Sequence, residues 1–163
     1  MSRIRRKNVF ISHHHKDDGS VDKLGALLKR KEYAIRNSSI RAKPANQERL
    51  NKGLVKDAVI RRLLRMKISW AGTVLVVVGK KTHERPWVDW EIQEAMRQGK
   101  QIVGVYERGL KGLVEVPRSL EKYETARVGW NAESIIGAIE GKPVFQNPDG
   151  SPLERRDGPH SVC

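Results

Sequence analysis

The stretch Thr73-Val-Leu-Val-Val-Val78 decides the fold of this chain. Its apolar, mostly β-branched residues stand at consecutive positions and do not alternate with polar ones. A strand of this kind is covered on both faces, which is typical of a parallel sheet flanked by helices. A second run, Gln101-Ile-Val-Gly-Val-Tyr106, has the same character and predicts another buried strand. We therefore expect a sheet with helices on both sides.

Working outward from these runs, strand and helix patterns alternate along the chain. The further predicted strands are 8–12, 33–35 and 125–128. The predicted helices are 21–31, 47–68, 87–98 after Pro86, and a last one from the capping residue Asn131 to about residue 140. This alternation predicts an α/β fold in three layers, with a doubly wound parallel sheet. Ligands of such sheets bind at the carboxyl ends of the strands, here near residues 13–20, 36–39 and 79–91.

The length of 163 residues suits one domain, which we place at residues 1–141. Residues 142–163 are rich in Pro, Gly, Asp and Arg and predict a poorly ordered tail. No apolar run approaches the length of a membrane span, and no secretory pattern opens the chain. Cys163 is the only cysteine, so no internal disulfide is possible. We expect a cytoplasmic protein.

The chain is strongly basic, with 32 Lys and Arg against 19 Asp and Glu, a net charge of +13. A basic balance attracts polyanions, including nucleic acids and phosphate-rich ligands. A surface that is simply cationic explains the same number. The basic residues are spread along the chain without interleaved aromatic residues, so specific nucleic-acid recognition has little support.

The predicted helix 47–68 carries two apolar stripes. One stripe comprises Leu50, Leu54, Ala58, Leu64 and Ile68. The roughly opposite stripe comprises Val55, Val59, Leu63 and Met66. A helix with two apolar stripes is usually covered on both sides. The second stripe therefore predicts contact with another subunit, or with a covering loop, and we expect a homo-oligomer.

Two segments resemble a known family. Val9-Phe-Ile-Ser-His-His-His-Lys-Asp-Asp18 resembles the first strand and loop of TIR domains, and Trp87-Val-Asp-Trp-Glu-Ile92 resembles their Trp-x-x-x-Glu-Ile helix. Together with Val-Gly-Lys-x-Thr after the central strand, the combination resembles the TIR-like proteins of bacterial Thoeris anti-phage systems. The resemblance covers roughly residues 7–140 and implies a flavodoxin-like fold.

The resemblance also implies a function. Members of this family cleave NAD at the nicotinamide–ribose bond, and Thoeris-type members make a cyclic ADP-ribose isomer or a related nucleotide. That signal activates an effector protein encoded elsewhere. NAD would be the substrate and not a redox cofactor, and the sequence indeed carries neither a Rossmann fingerprint nor a P-loop.

Glu91 is the candidate catalytic residue. The apolar stripe of its helix comprises Val88, Ile92, Ala95 and Met96. Glu91 lies on the shoulder of that stripe, four residues after Trp87. A fixed carboxylate there can stabilise an oxocarbenium-like ribose or hold its hydroxyls. The alternative is an ordinary solvated helix glutamate.

The flanking tryptophans have different predicted roles. Trp87 shares the side of Glu91 and either stacks on a substrate ring or packs. Trp90 points away from the stripe, and we expect it only to pack.

Further candidate substrate contacts lie on the first predicted strand or in the loops that follow the strands. They are Phe10, Ser12, His13, Lys16, Ser38, Lys81 and Thr82. The resemblance places the first three in the nucleotide site and makes Lys16 a candidate phosphate ligand. Lys81 and Thr82 meet the pyrophosphate or belong to a solvated basic loop. Three adjacent histidines from His13 lack the partner ligands of a metal site, so we expect no metal.

Three other functions remain open at this point. A non-catalytic TIR-like module would act by assembly. A basic nucleotide or nucleic-acid binder would show steep salt dependence. A deoxyribosyltransferase-like enzyme would cleave nucleosides and leave NAD untouched.

Overall fold

The structure, a computed structural model, describes residues 5–13, 18–37, 57–110 and 112–153. The strands are β1 (Arg5–Ser12), β2 (Tyr33–Asn37), β3 (Thr73–Val78), β4 (Gln101–Tyr106) and β5 (Ala126–Val128). The helices are α1 (Asp18–Lys29), α2 (Asp57–Ser69), α3 (Pro86–Arg97), α4 (Arg118–Tyr123) and α5 (Ala132–Ile139). A short 3₁₀ turn, Thr82–Glu84, connects β3 to α3. Strands and helices therefore alternate, as the sequence predicts.

The five strands form one parallel sheet in the order β2-β1-β3-β4-β5. This order is that of flavodoxin-like folds, and the predicted doubly wound α/β architecture is confirmed. The direction of winding reverses between β1 and β3, which are neighbours in register from Val9 opposite Thr73 to Ser12 opposite Val76.

Two hydrophobic cores lie on opposite faces of the sheet, because successive strand residues point to opposite sides. Val9 and Ile11 pack on the side of α1 and α5. Phe10 and the alternate residues of β3 pack on the side of α2, α3 and α4. Every residue of β3 is buried. The three-layer arrangement thus explains the consecutive apolar residues of the central strand.

Some boundaries and exposures differ from the predicted ones. The described part of α2 begins at Asp57, and residues 47–56 of the predicted helix lie outside the described residues. Helix α4 was not predicted, since six residues with one fully buried apolar side chain, Leu120, give little periodicity. Met96 is 48% exposed, so its assignment to the buried stripe of α3 was wrong. The predicted cap of α5 is confirmed, since the Asn131 side chain accepts from the Ser134 amide at 3.0 Å.

Helix α2 buries one of its two apolar stripes. Ile60, Leu64 and Ile68 are buried against α3 and the sheet. Val59 and Met66 on the other stripe are exposed. The expected cover of this second stripe, by another subunit or by a loop, stays a prediction.

Residues 142–153 differ from the predicted poorly ordered tail. The Arg127 amide of β5 donates to the Val144 carbonyl at 2.8 Å, and the Gln146 amide donates to the Arg127 carbonyl at 2.7 Å. Val144 also packs on the core beneath α5. This segment therefore continues the fold along the outer side of β5, and residues 154–163 lie outside the described residues. None of the described helices is long and apolar enough to cross a membrane.

Candidate active site

The candidate site lies where β1 and β3 end. Strand order reverses between these neighbours, so the connections that follow them leave to opposite sides and open a crevice at the carboxyl edge of the sheet. Ser12 is the last residue of β1, and Gly79 directly follows β3. Helix α3 begins at this edge with Pro86, whose missing N–H costs nothing at a first helical position.

Glu91 and Ser12 form the centre of the site. Glu91 lies in the second turn of α3 and is 1% exposed, while Ser12 is fully buried. The Ser12 hydroxyl donates to Glu91 Oε1 at 2.7 Å, the short distance of a charge-assisted hydrogen bond. The carboxylate is thereby fixed beside the end of β1. The alternative of a solvated helix glutamate was wrong.

Phe10 precedes Ser12 on β1 by two residues, and His13 directly follows the strand. Phe10 is fully buried in the core beneath α2 and α3. His13 is 1% exposed, and its Nδ1 lies 3.2 Å from the Ile11 carbonyl. Both side chains support the end of β1 next to the site. Their contact with a substrate stays a prediction.

The turn after β3 holds two further predicted contacts. Thr82 is buried, and its hydroxyl accepts from the Gly79 amide at 2.7 Å and lies 3.3 Å from the Val77 carbonyl. This hydroxyl therefore closes the turn. Lys81 is exposed beside it. The remaining predicted contacts, Lys16 and Ser38, lie outside the described residues.

Trp87 and Trp90 form a pair on α3. Their ring centroids are 5.9 Å apart with planes at 75°, an edge-to-face contact. Both rings are half-buried and pack on the core beneath α3. Packing of Trp90 is thus confirmed, but a position away from the buried side was wrong.

Glu107 is a further carboxylate at the carboxyl edge of the sheet, and it is absent from the predicted site residues. It directly follows β4, and its carboxylate lies so close to Gly79 that a Cβ there would be 2.9 Å from Oε2. The Ser20 hydroxyl in the first turn of α1 donates to its Oε1 at 3.2 Å. The sequence pattern that could have indicated Glu107 is an acidic residue directly after a buried strand, because that position falls at the carboxyl edge of the sheet.

A comparison with family models identifies the chain. Residues 10–112, which include Ser12, Glu91 and Glu107, match the model described as "Thoeris protein ThsB, TIR-like domain". The chain belongs to this family. The predicted resemblance is therefore confirmed. No curated protein matches the sequence at a significant level.

Two solved structures are similar to this Thoeris TIR-like domain. The CMP N-glycosidase BcmB of Clostridium botulinum is 15% identical, with a TM-score of 0.49 over 82% of this chain and 98% of that one. A 2-deoxyribosyltransferase from Bacillus psychrosaccharolyticus is 12% identical, with a TM-score of 0.46 over 74% of this chain and 84% of that one.

The Thoeris TIR-like domain has a second polar cluster away from β1. A cleft of about 620 Å³ between α4 and the turn after β3 is lined by His83, Val114, Glu115, Val116, Arg118, Glu121 and Arg127. Arg127 lies at its base, 3.4 Å from the buried carboxylate of Glu124. Burial raises the pKa of the neighbouring Tyr106 hydroxyl, and the charge of Arg127 opposes the rise. This cluster is an ion pair with a neutral phenol.

Proposed function

We propose that this chain cleaves NAD at the bond between nicotinamide and ribose, with Glu91 as the catalytic residue. The observation that carries the proposal is the hydrogen bond from Ser12 to Glu91, which fixes a buried carboxylate at the strand reversal of the sheet. Membership of the Thoeris TIR-like family supports the same reaction. A preorganised carboxylate in a site shielded from water stabilises developing positive charge more strongly than one in solvent.

The reaction suits one carboxylate. Nicotinamide leaves as a neutral molecule with the electron pair of the broken bond, so it needs no proton donor. Positive charge then develops on the ribose, where Glu91 stabilises it as carboxylates do in glycoside hydrolysis. Water attacking the ribose carbon gives ADP-ribose and a proton. Attack by a nucleophilic atom of the same molecule gives a cyclic isomer and a proton, and NAD is consumed as substrate in both cases.

The product would act as a signal. In this proposal a cyclic ADP-ribose-type nucleotide leaves the site and activates an effector protein encoded elsewhere, as part of anti-phage defence. Trp87 lies one helical turn before Glu91, and in this proposal its half-buried ring contacts a ring of the substrate. Lys81 lies exposed in the turn after β3, and in this proposal it meets the pyrophosphate.

Assembly through α2 is a second part of the proposal. Val59 is 37% exposed, Met66 is 42% exposed, and Trp70 just after the helix is 60% exposed. Their spacing places them on one side of the helix, away from its buried stripe. An exposed apolar stripe of this kind suits contact with a second copy of the chain. The homo-oligomer would then be the active form.

The decisive experiment is nicotinamide release from NAD, followed by mass spectrometry of the products. The wild type, Glu91→Gln and the control Glu133→Gln are compared at equal concentration, because Glu133 is an exposed glutamate of α5. We expect release by the wild type and Glu133→Gln and a loss of about 10²–10³-fold in Glu91→Gln. Equal release by all three would remove Glu91 from the mechanism.

A separate measurement tests whether the exposed stripe of α2 mediates assembly. Light scattering over a concentration series gives the mass of the wild type and of Met66→Lys, which places a charge on the exposed stripe. We expect the wild type to form oligomers and the variant to remain monomeric with reduced activity. A fully active monomer would rule out a requirement for assembly.

A further inference from the structure

Two arginines of α2 stack on the two tryptophans of α3. The guanidinium carbon of Arg61 lies 5.9 Å from the ring centroid of Trp87, and that of Arg65 lies 5.6 Å from the centroid of Trp90. Both distances are within the range of cation–π contacts. The arginines are four residues apart, so the pairs lie one helical turn from each other.

The two pairs differ in their distance from the carboxyl edge. Both helices run away from this edge over their described residues, because each leads back to the start of the next strand. Arg61 lies one turn nearer to this edge than Arg65 on α2, and Trp87 lies nearer to it than Trp90 on α3. Glu91 follows Trp87 by one turn on the same side of α3. Arg61 is therefore the arginine nearer to the carboxyl edge, where Ser12 and Glu91 lie.

The two arginines also differ in their charge partners. Arg65 Nε lies 3.5 Å from Glu94 Oε1, a carboxylate that Arg97 contacts at 3.2 Å. Among the residues whose side chains the structure describes, which leave out Asp57, no carboxylate lies within ion-pair distance of Arg61, and the Arg61 side chain is exposed. A guanidinium presents several N–H donors in a plane and binds phosphate oxygens in pairs. Stacking on Trp87 already restricts the orientation of the guanidinium. The guanidinium therefore loses less conformational entropy when it binds an anion.

We propose that Arg61 binds the diphosphate of the nucleotide substrate, held for this task by stacking on Trp87. The inference rests on the proposed function for the identity of the nucleotide. In NAD the diphosphate is attached to the ribose that carries nicotinamide, so a group one ribose away from the broken bond belongs beside Glu91. Arg61 acts on binding and position, whereas Glu91 acts on the reacting ribose.

The chain supplies its own matched control. Arg61→Gln and Arg65→Gln remove the same group from equivalent pairs, and Glu94 retains Arg97 in the second variant. NAD is compared with nicotinamide riboside, which has the same reacting bond and no diphosphate. We expect Arg61→Gln to lower kcat/KM for NAD about tenfold to a hundredfold, mainly through KM. For nicotinamide riboside, and for Arg65→Gln with NAD, we expect changes of less than about twofold.

Two kinetic outcomes would overturn the inference. An equal loss in both variants would mean that the arginines only support packing between α2 and α3. An equal loss on both substrates would mean that Arg61 does not act through the diphosphate. Arg61→Lys should recover part of the activity on NAD, because the charge remains but the planar fork is lost.

A binding measurement separates this inference from the proposed reaction. Calorimetric titration with inorganic pyrophosphate needs no catalysis, and we expect Arg61→Gln to weaken binding at least tenfold while Arg65→Gln binds like the wild type. If NAD is not cleaved but pyrophosphate binding depends on Arg61, the anion site stands and the reaction fails. If pyrophosphate binds Arg61→Gln and Arg65→Gln equally well, the inference is wrong, whether or not NAD is cleaved.

Discussion

Glu91 and Glu124 are both buried on the helical layer formed by α2, α3 and α4, but their surroundings differ. Glu91 accepts a hydrogen bond from a neutral serine hydroxyl at the end of β1. Glu124 forms an ion pair with Arg127 at the base of a cleft near β5. Burial alone therefore does not identify a catalytic carboxylate. The position relative to the strand reversal and the chemistry of the partner separate a group suited to act on a substrate from one that supports the fold.

The largest expected effect is on activity at Glu91. Glu91→Gln keeps the volume and an acceptor for Ser12 but removes the charge that would stabilise the ribose cation. We expect NAD cleavage to fall about 10²–10³-fold while the midpoint of thermal unfolding stays within about 2 °C of the wild type. Nicotinamide release and a thermal melt on the same preparation check both. A large drop in the midpoint would make Glu91 a structural residue like Glu124.

The opposite pattern is expected at Glu124. Glu124→Gln leaves the Arg127 guanidinium buried without its ion-pair partner, which costs about 3 kcal/mol of unfolding free energy. Urea denaturation measures this loss, and Glu133→Gln at an exposed position of α5 is the control. Activity per folded molecule should not change. If Glu124→Gln lowers activity without lowering stability, Glu124 is not a structural residue, and its assigned difference from Glu91 is wrong.

The Ser12 hydroxyl provides the next effect. Ser12→Ala removes the donor that holds Glu91 Oε1 at 2.7 Å. A hydrogen bond to a charged group contributes enough to change a rate by about tenfold, and we expect that loss in kcat with a smaller change in KM. An unchanged kcat would show that other contacts suffice to position Glu91.

Glu107 extends the comparison to a third carboxylate. In Gly79→Ala the new Cβ would lie 2.9 Å from Glu107 Oε2, so the carboxylate must shift from the position in which it accepts from Ser20. We expect a loss of about 1 kcal/mol in unfolding free energy. Gly72→Ala has no atom within 4 Å of its Cβ and should be neutral or slightly stabilising. If Gly79→Ala and Gly72→Ala change the unfolding free energy equally in urea denaturation, the contact with Glu107 is not the reason for glycine at position 79.

The smallest effect is a pH dependence in the cluster of Glu124. The pKa of Tyr106 is raised by burial, so the unfolded chain loses this proton at lower pH than the folded one. The stability contributed by the neutral phenol is complete below about pH 10 and decreases as pH rises through the folded pKa. The difference in melting midpoint between wild type and Tyr106→Phe should therefore shrink above about pH 10. A constant difference would contradict the raised pKa.

How far the sequence predicts this molecule depends on the range of the contacts involved. Thr73–Val78 has the bounds that its apolar run predicts, because burial on both faces is visible in consecutive residues. Glu91 was found through its place on one helix. Helix α4 was missed because its support comes from β4, where Gly104 leaves room for Leu120. Glu107 and Arg61 were missed because their neighbours are distant in sequence.

The segment that follows α5 has a consequence for association between sheets. Strand β5 lies at the edge of the sheet, and exposed edge strands invite pairing with strands of other molecules. Residues 144–146 already occupy the outer amide and carbonyl of Arg127, so this edge is capped by the chain itself. Strand addition at this side is blocked, and filament growth by edge-to-edge pairing would have to begin at β2.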